Sequence, residues 1–367
     1  MKRNFMIESK EGVVSRILSD GDEMQELDVE VGGRHAKAIC YPPLTGSVAV
    51  GDKVLLNTTA VRLDLGSGGR HFVMANLSSP EHRMSEGAGH IMKLRYTPSQ
   101  ARVLCAEEEG SPHRAAIEAF SDLGGTPVVI GGLHSMVAPV CAAIKSMRQD
   151  LRIVYIMTDG ACLPLAFSRT VRDLKDKQII SATVTCGNAF GGDLETVTKF
   201  SALAAARAAL GADVIMVAMG VGIAGTGTRL GNAGLEVGEW VNAVAALKGE
   251  PVVVPRLSFA DQRKRHVGIS HHTITALSEV ALARATITLP KLPPEQSDVV
   301  KRQIAASDLY EDHSIYEADG SVAIEALQAN GFRVTTMGRG PEDDPAFFLA
   351  CGSAAQFVCM IAGADRN

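Results

Sequence analysis

Gly211-Ala-Asp-Val-Ile-Met-Val-Ala-Met-Gly220 is the stretch that decides the fold. Its apolar run from Val214 to Ala218 is bounded by glycine, too short for a helix, and carries no polar residue at alternate positions. That is the pattern of a strand buried on both faces. The same texture repeats outward. Strands are expected at Arg102 to Cys105, Pro127 to Ile130, Ile153 to Met157, Ile180 to Cys186, Val252 to Pro255, Thr286 to Leu289 and Arg333 to Met337. Amphipathic segments fall between them, among them Ser135 to Met147, Leu194 to Leu210, Val237 to Leu247 and Ser321 to Asn330, the last stopped by Gly331. Apolar strands alternating with helices predict an α/β fold with a mostly parallel, doubly wound sheet.

The first eighty residues read differently. Short alternating runs, such as Gln25-Glu-Leu-Asp-Val-Glu-Val31 and His35-Ala-Lys-Ala-Ile-Cys40, are separated by turn signals at Asp20-Gly21-Asp22, Gly32-Gly33 and Pro42-Pro43. This predicts a small N-terminal antiparallel β-barrel or sandwich with no helix in it. The expected domains are 1–90, all-β, and 91–367, α/β, joined within 81–100.

Composition narrows the function classes. A net charge of -5 with 21% charged residues leaves no basic footprint for nucleic acid. The 7 cysteines are scattered and never in Cys-x-x-Cys spacing, which argues against a disulfide framework or zinc ribbon and for a reducing, cytoplasmic setting. The opening Met1-Lys-Arg-Asn-Phe-Met-Ile-Glu-Ser-Lys10 lacks the apolar run of a signal peptide, and no segment is long and apolar enough for a membrane span.

In an open α/β sheet, ligands sit beyond the carboxyl ends of the strands. The residues expected there are Gly131-Gly-Leu-His134, Thr158-Asp159-Gly160, Gly187-Asn188 with Gly191-Gly192-Asp193, the glycine-rich run from Gly220, Arg256 with Ser258 and Asp261, and Gly338-Arg339-Gly340. The glycine-rich run admits three readings. Gly220-x-Gly222-x-x-Gly225 matches a dinucleotide fingerprint, but Thr226 to Gly231 keeps the chain irregular where a helix should start, and no ribose-binding carboxylate follows the next strand. Gly225-Thr-Gly-Thr228 resembles the phosphate loop of the tubulin-like bacterial GTPases over about twenty residues, again without the immediate helix. The third and favoured reading is an anion cradle: glycines 220, 222, 225 and 227 expose backbone N–H groups, Thr226 and Thr228 add hydroxyls, and Arg229 adds charge. The structural alternative is that these glycines admit close packing of a neighbouring helix or subunit.

Further along, Asp261-Gln-Arg-Lys-Arg-His266 precedes Gly268-Ile-Ser-His-His-Thr273. Ser270 is a natural N-cap for a helix starting near Thr273, which places His271 and His272 in its first turn, where the dipole favours neutral imidazole. Such a histidine can act as a base or bind metal. Adjacent helical positions point in different directions, which argues against joint ligation by the two. Asp159 is read either as a base, hydroxyl or metal ligand, or as a helix cap. Asp193 is read as the N-cap of the Leu194–Leu210 helix or as a catalytic carboxylate. Cys186 is a nucleophile candidate but more simply a buried apolar side chain.

Taken in order, His90-Ile-Met-Lys-Leu-Arg-Tyr-Thr-Pro98, Met157-Thr-Asp-Gly160, Phe190-Gly-Gly-Asp193, Gly225-Thr-Gly-Thr-Arg229, Ser258-Phe-Ala-Asp261, Ser270-His-His-Thr273 and Thr336-Met-Gly-Arg-Gly-Pro341 resemble the motifs of an uncharacterised bacterial family, domain of unknown function 3866. The resemblance implies a bacterial cytosolic protein without naming its chemistry. The expected function is an enzyme acting on a small phosphate- or carboxylate-bearing molecule by hydrolysis or group transfer. His134, Asp159, Asp193, His271 and His272 are the candidate catalytic groups. The candidate ligand-binding set is Gly220 to Arg229 with Arg256, Ser258 and Asp261. The cofactor is open, with a divalent metal admitted: magnesium for carboxylates with water, zinc or manganese where histidine joins. The rival is a noncatalytic ligand sensor or assembly protein, including a nucleotide binder through the Gly-Thr-Gly-Thr loop. Alanine-rich helices offer faces for a homo-oligomer, which burial within one subunit explains equally well.

Overall fold

A computed structural model describes residues 6–362; the basic start Met1–Phe5 lies outside the described residues. The chain divides into two compact units, one running through Gly87 and including Leu94–Ala101, the other made of Ala88–Lys93 and the chain from Arg102 onward.

The first unit is a closed five-stranded barrel: β1 (Ser9–Ser19), β2 (Gln25–Val31), β3 (Arg34–Cys40), β4 (Lys53–Asn57) and β5 (Arg70–Asn76), in the order β1-β2-β3-β5-β4. Val14, Leu27, Val29, Ala38, Val54 and Leu56 fill it from alternate positions, as the period-two pattern requires. The barrel is not wholly antiparallel. β3 and β5 run parallel, with Ala38 opposite His71, because the chain crosses from β3 to β4 before β5 returns beside β3. Nor is it free of helix: single turns at Pro42–Thr45 and Thr59–Arg62 make those connections. The proline pair read as a turn signal is compatible with the first helical positions, where no N–H is needed.

The second unit holds an eight-stranded sheet in which every pairing is parallel. Its members are β6 (Pro127–Gly131), β7 (Ile153–Thr158), β8 (Ala182–Thr185), β9 (Leu194–Glu195), β10 (Val214–Met219), β11 (Glu250–Val254), β14 (Thr286–Pro290) and β15 (Ser314–Ala318). A separate short antiparallel pair, β12 (Leu257–Ser258) and β13 (Gly268–Ile269), lies between β11 and β14 in sequence. The spatial order is β9-β8-β7-β10-β6-β11-β14-β15. β10 slots between β6 and β7, so Val214, Ile215, Met216 and Val217 are wholly enclosed, which explains the unbroken apolar run.

Helices α1 (Val137–Met147), α2 (Arg169–Asp176), α3 (Lys199–Ala204), α4 (Glu236–Ala246), α5 (His271–Thr275), α6 (Pro294–Ala305), α7 (Val322–Ala329) and α8 (Pro345–Ile361) connect or follow the strands. α1 packs against α7 and α8, and α8 packs on β14. α8 brings Phe347 and Phe348 into the core. Among the described residues no helix is long and apolar enough to cross a membrane.

Three expected elements differ. Arg333–Met337 forms no strand; the last place in the sheet is taken by Ser314–Ala318, whose Ile315 pairs with Ile287. The Arg102–Cys105 region reaches the large sheet only at Cys105, through a parallel bridge to Glu195 of β9, and otherwise stands outside it. The Leu194–Leu210 helix begins only at Lys199, capped by Thr198, and Leu194–Glu195 extends the sheet instead. Asp193 therefore caps no helix.

Candidate functional site

Because all eight strands run the same way, their carboxyl ends share one edge. The connection leaving β6 crosses β10 to reach β7, whereas the connection leaving β10 crosses β6 to reach β11. Neighbouring strands whose connections depart in opposite directions leave a crevice between the loops that follow them. The loops in question begin after Gly131 and Met219.

On the β7 side, Thr158 ends the strand and directs its hydroxyl at Glu236, in the first turn of α4, with Oγ1 at 2.8 and 2.9 Å from the two carboxyl oxygens. Burial raises the Glu236 carboxyl to about 7, against the lowering effect of the Thr158 hydrogen bond, and the neighbouring Asp159 charge adds to the rise. Asp159 is exposed and accepts the Asn188 backbone N–H at 2.9 Å. Gly187, at φ 63°, lies where any Cβ would strike the Asp159 carboxylate, so that strand end needs glycine for both conformation and room. Two carboxyls thus stand together, one titrating near neutrality, which is the property required of a group that takes and returns a proton at physiological pH.

The glycine segment leads from this pair to a second cluster. It is a closed turn: Thr226 N–H donates to the Gly231 carbonyl at 2.8 Å and Ala233 N–H to Ala224 at 2.9 Å. No helix starts inside the glycine motif, since α4 begins at Glu236. The Thr226 and Thr228 hydroxyls are 2.9 Å apart on the exposed tip. Arg229 turns away to pair with Glu279. The cation beside the loop is Arg265, whose guanidinium nitrogen lies 3.7 Å from the Cβ position of Gly227. Gly225 places its Cβ position 3.6 Å from the His272 ring.

That ring belongs to the second cluster. Ser270 caps α5, accepting from His272 N–H at 3.3 Å, and its Oγ lies 2.7 Å from His266 Nδ1. The His266, His271 and His272 rings stand with centroids 4.3 to 5.1 Å apart. Adjacent histidines converge here because helical Cα–Cβ bonds tilt toward the N-terminus. In the first turn both side chains lean over the cap, where His266 waits. His271 Nε2 and His272 Nδ1 are buried without a hydrogen-bond partner. An unmet buried polar atom costs about 1–3 kcal/mol. Burial pushes His272 down to about 4 and His266 down to about 3, with Arg256 among the further causes for both.

Beside them, Asp261 receives three guanidinium groups: Arg263 at 2.8 Å, Arg256 at 3.3 Å and Arg339 at 3.8 Å. The hydrogen bond from Arg263 holds the Asp261 carboxyl well below the usual range, although its partial burial opposes this. Ser258 donates to Asp344 at 2.6 Å, and Asp344 also accepts from Arg339 at 3.1 Å. With Arg265, four arginines face two aspartates across this cluster, an excess of positive charge next to neutral imidazoles.

The other candidates are bonded elsewhere, and Asp193, alongside Thr183, falls short of the carboxyl edge. His134 bonds Ser168 Oγ through Nε2 at 2.7 Å and the Met219 carbonyl through Nδ1 at 3.2 Å. Asp193 pairs with Lys175 at 2.5 Å and accepts from Thr183 N–H at 2.8 Å, tying β8 to the loop. Cys186 is buried, its thiol pushed up by that burial to about 12. A cleft of about 470 Å³ lined by residues including Arg148, Asp150, Arg207 and Asp213 lies at the opposite, amino-terminal edge, where Arg148 pairs with Asp150.

The family model described as "Protein of unknown function (DUF3866)" matches residues 37–355. The chain belongs to this family. No curated protein matches it. Among solved structures, the Mycobacterium tuberculosis folylpolyglutamate synthase complexed with ADP and AMPPCP aligns at 12% identity and a TM-score of 0.23. The alignment covers 66% of this chain and 62% of that one, so the chain spans under two thirds of that protein's length. The matched residues of the family model take in both clusters.

Glu236, His266 and Asp344 escape the sequence motifs as cluster members. Glu236 stands two residues after Gly234, an acidic residue at a helix start, a position normally read as dipole compensation. His266 sits at the end of a basic run; its spacing of four from Ser270 is the only mark of their hydrogen bond.

Proposed function

We propose that the protein is an enzyme acting on a small phosphate- or carboxylate-bearing molecule by hydrolysis or group transfer, in the crevice at the carboxyl edge of a doubly wound sheet. What supports the reading is the Glu236 carboxyl, raised to about 7 beside Asp159, at the start of the helix whose preceding glycine segment runs on to a positively charged cluster. In this reading Arg265 and the backbone of the Gly220–Gly231 turn receive the anionic group. Glu236 moves a proton to or from the attacked or departing oxygen, and the Thr158 hydroxyl holds the Glu236 carboxyl in place. The glycines let substrate approach the backbone closely.

The reading is tested by assaying the full chain against p-nitrophenyl phosphate and the mono-p-nitrophenyl ester of succinic acid, which keep a phosphate and a free carboxylate respectively, with Glu236→Gln and Asp159→Asn variants. Turnover of one ester is expected, falling about 100-fold or more in Glu236→Gln, the contribution typical of a general acid or base. Turnover unchanged in both variants overturns the assignment of these carboxyls. Failure to turn over either ester, with saturable binding of inorganic phosphate retained, favours the noncatalytic sensor.

A further inference from the structure

We propose that His266, His271 and His272 form a site for one divalent transition-metal ion of the zinc class, with a remaining coordination position open to an anion. Each residue offers a ring nitrogen, and these atoms lie within 4.8 Å of one another. A zinc ion at about 2.0–2.1 Å from each nitrogen needs nitrogen–nitrogen separations of about 3.3 Å. Binding would therefore draw the three rings closer together.

Three independent features of the cluster point the same way. His271 Nε2 and His272 Nδ1 are buried and have no partner, whereas buried imidazole nitrogens ordinarily find one. His266 has the support that metal-binding histidines carry: its Nδ1–H can donate to Ser270 Oγ at 2.7 Å, which leaves the Nε2 lone pair for a metal. The same serine oxygen accepts from His272 N–H, so the cap that starts α5 also orients the rings. Finally, the donor set is imidazole alone. Hard ions such as magnesium and calcium prefer oxygen, while imidazole suits zinc and its neighbours.

The charges around the site account for the open position. Asp261 and Asp344 are occupied by Arg256, Arg263 and Arg339, so neither carboxylate joins the histidines. Those arginines and Arg265 favour an anion as the added ligand rather than a further protein group.

The test uses full-length protein stripped with a chelator and titrated with Co²⁺ as the optical probe. One equivalent per chain is expected to give the strong visible d–d absorption of low-coordinate cobalt, displaced by one equivalent of Zn²⁺, and inorganic phosphate is expected to shift the band. His266→Gln, His271→Gln and His272→Gln should each weaken Co²⁺ binding at least about tenfold, with His134→Gln as the control that retains it. Ser270→Ala keeps all three rings and should weaken binding several-fold, so the assignment stays testable if a histidine variant fails to fold. No band in the wild type, only the weak band of a six-coordinate ion, or a band that survives in the folded triple variant overturns the site. A band indifferent to phosphate overturns the anion position. Since none of these readouts requires turnover, the metal site and the proposed carboxyl chemistry fail separately.

Discussion

At Glu236, burial and hydrogen bonding pull in opposite directions, and the consequence is a pH-dependent stability. The folded carboxyl keeps its proton up to about 7, whereas in the unfolded chain it ionises near the ordinary 4.5. Between those values the folded state binds more protons, so stability falls as pH rises through that window, and above it the penalty is complete. Glutamine carries no charge to desolvate and can still bond Thr158. Glu236→Gln is therefore expected to be more stable than the wild type at pH 8, by roughly 1–3 kcal/mol, and nearly equal at pH 4.5, as read from urea midpoints. Equal offsets at both pH values would place the carboxyl in water. Asp261 is the opposite case. Its charge balances Arg256, whose side chain is 7% exposed, and Asp261→Asn leaves that cation buried and without its counter-charge. A loss of about 3 kcal/mol or more is expected in equilibrium unfolding. The two sites differed in legibility. Asp159 and the paired histidines were readable because strand ends and helix caps have local signatures. Glu236 was not, because its raised carboxyl comes from burial, set by tertiary packing that brings it against Thr158, 78 residues away in sequence.

Elements that are buried on all sides were the readable ones. The apolar runs at Val128–Ile130, Ile153–Met157 and Val214–Ala218 contain no compromise with solvent, and each is a central strand. The outer strand Ser314–Ala318 is exposed at Ser314 and Glu317, so its pattern is diluted, while Arg333–Met337 carries β-branched residues with no partner strand to pair with. The His271–His272 problem was likewise one of elements. Period alone separates neighbouring positions, but the tilt of side chains over a helix start brings them together. Ser270 organises that start, through the cap and through His266. Ser270→Ala should cost about 1–2 kcal/mol of stability in denaturant titration, whatever its effect on metal. Helix α8 supplies a second element-scale prediction. Gly352 faces the Gly320 carbonyl so closely that a Cβ would overlap it, and both residues are glycine at the crossing. Gly352→Ala should force α8 away from the β15 end and destabilise the chain by about 1–3 kcal/mol, with loss of protection in amide exchange along Ala346–Val358.

For the second unit as a whole, the carboxyl edge must hold loops from several strands in register, and His134 is the ring through which they are joined. It stands after β6, accepts from Ser168 at the start of α2, donates to the carbonyl that ends β10, and meets the Tyr155 hydroxyl of β7 at 3.3 Å. Ser168 in turn caps α2 by accepting from Val171 N–H at 3.1 Å. These bonds fix one neutral tautomer, with the proton on Nδ1 and the lone pair on Nε2. Burial lowers the ring to about 4, opposed only by the Met219 carbonyl, whereas an unfolded histidine takes up a proton near 6.5. Its contribution is therefore fully present above pH 6.5 and is lost as the pH falls from there toward 4, because the unfolded chain gains a proton that the folded chain refuses. At pH 5 the loss amounts to about 2 kcal/mol. Replacing the ring removes that dependence but also leaves Ser168 and the Met219 carbonyl short of a partner. His134→Gln is thus expected to be less stable than the wild type by about 1–3 kcal/mol at pH 7.5, with the deficit shrinking at pH 5 as the wild type's own penalty grows. Paired urea titrations at the two pH values measure both effects. A deficit that stays constant between them would mean that the folded ring takes up its proton as readily as the unfolded one and is reachable from the crevice, as a group in direct contact with substrate would be.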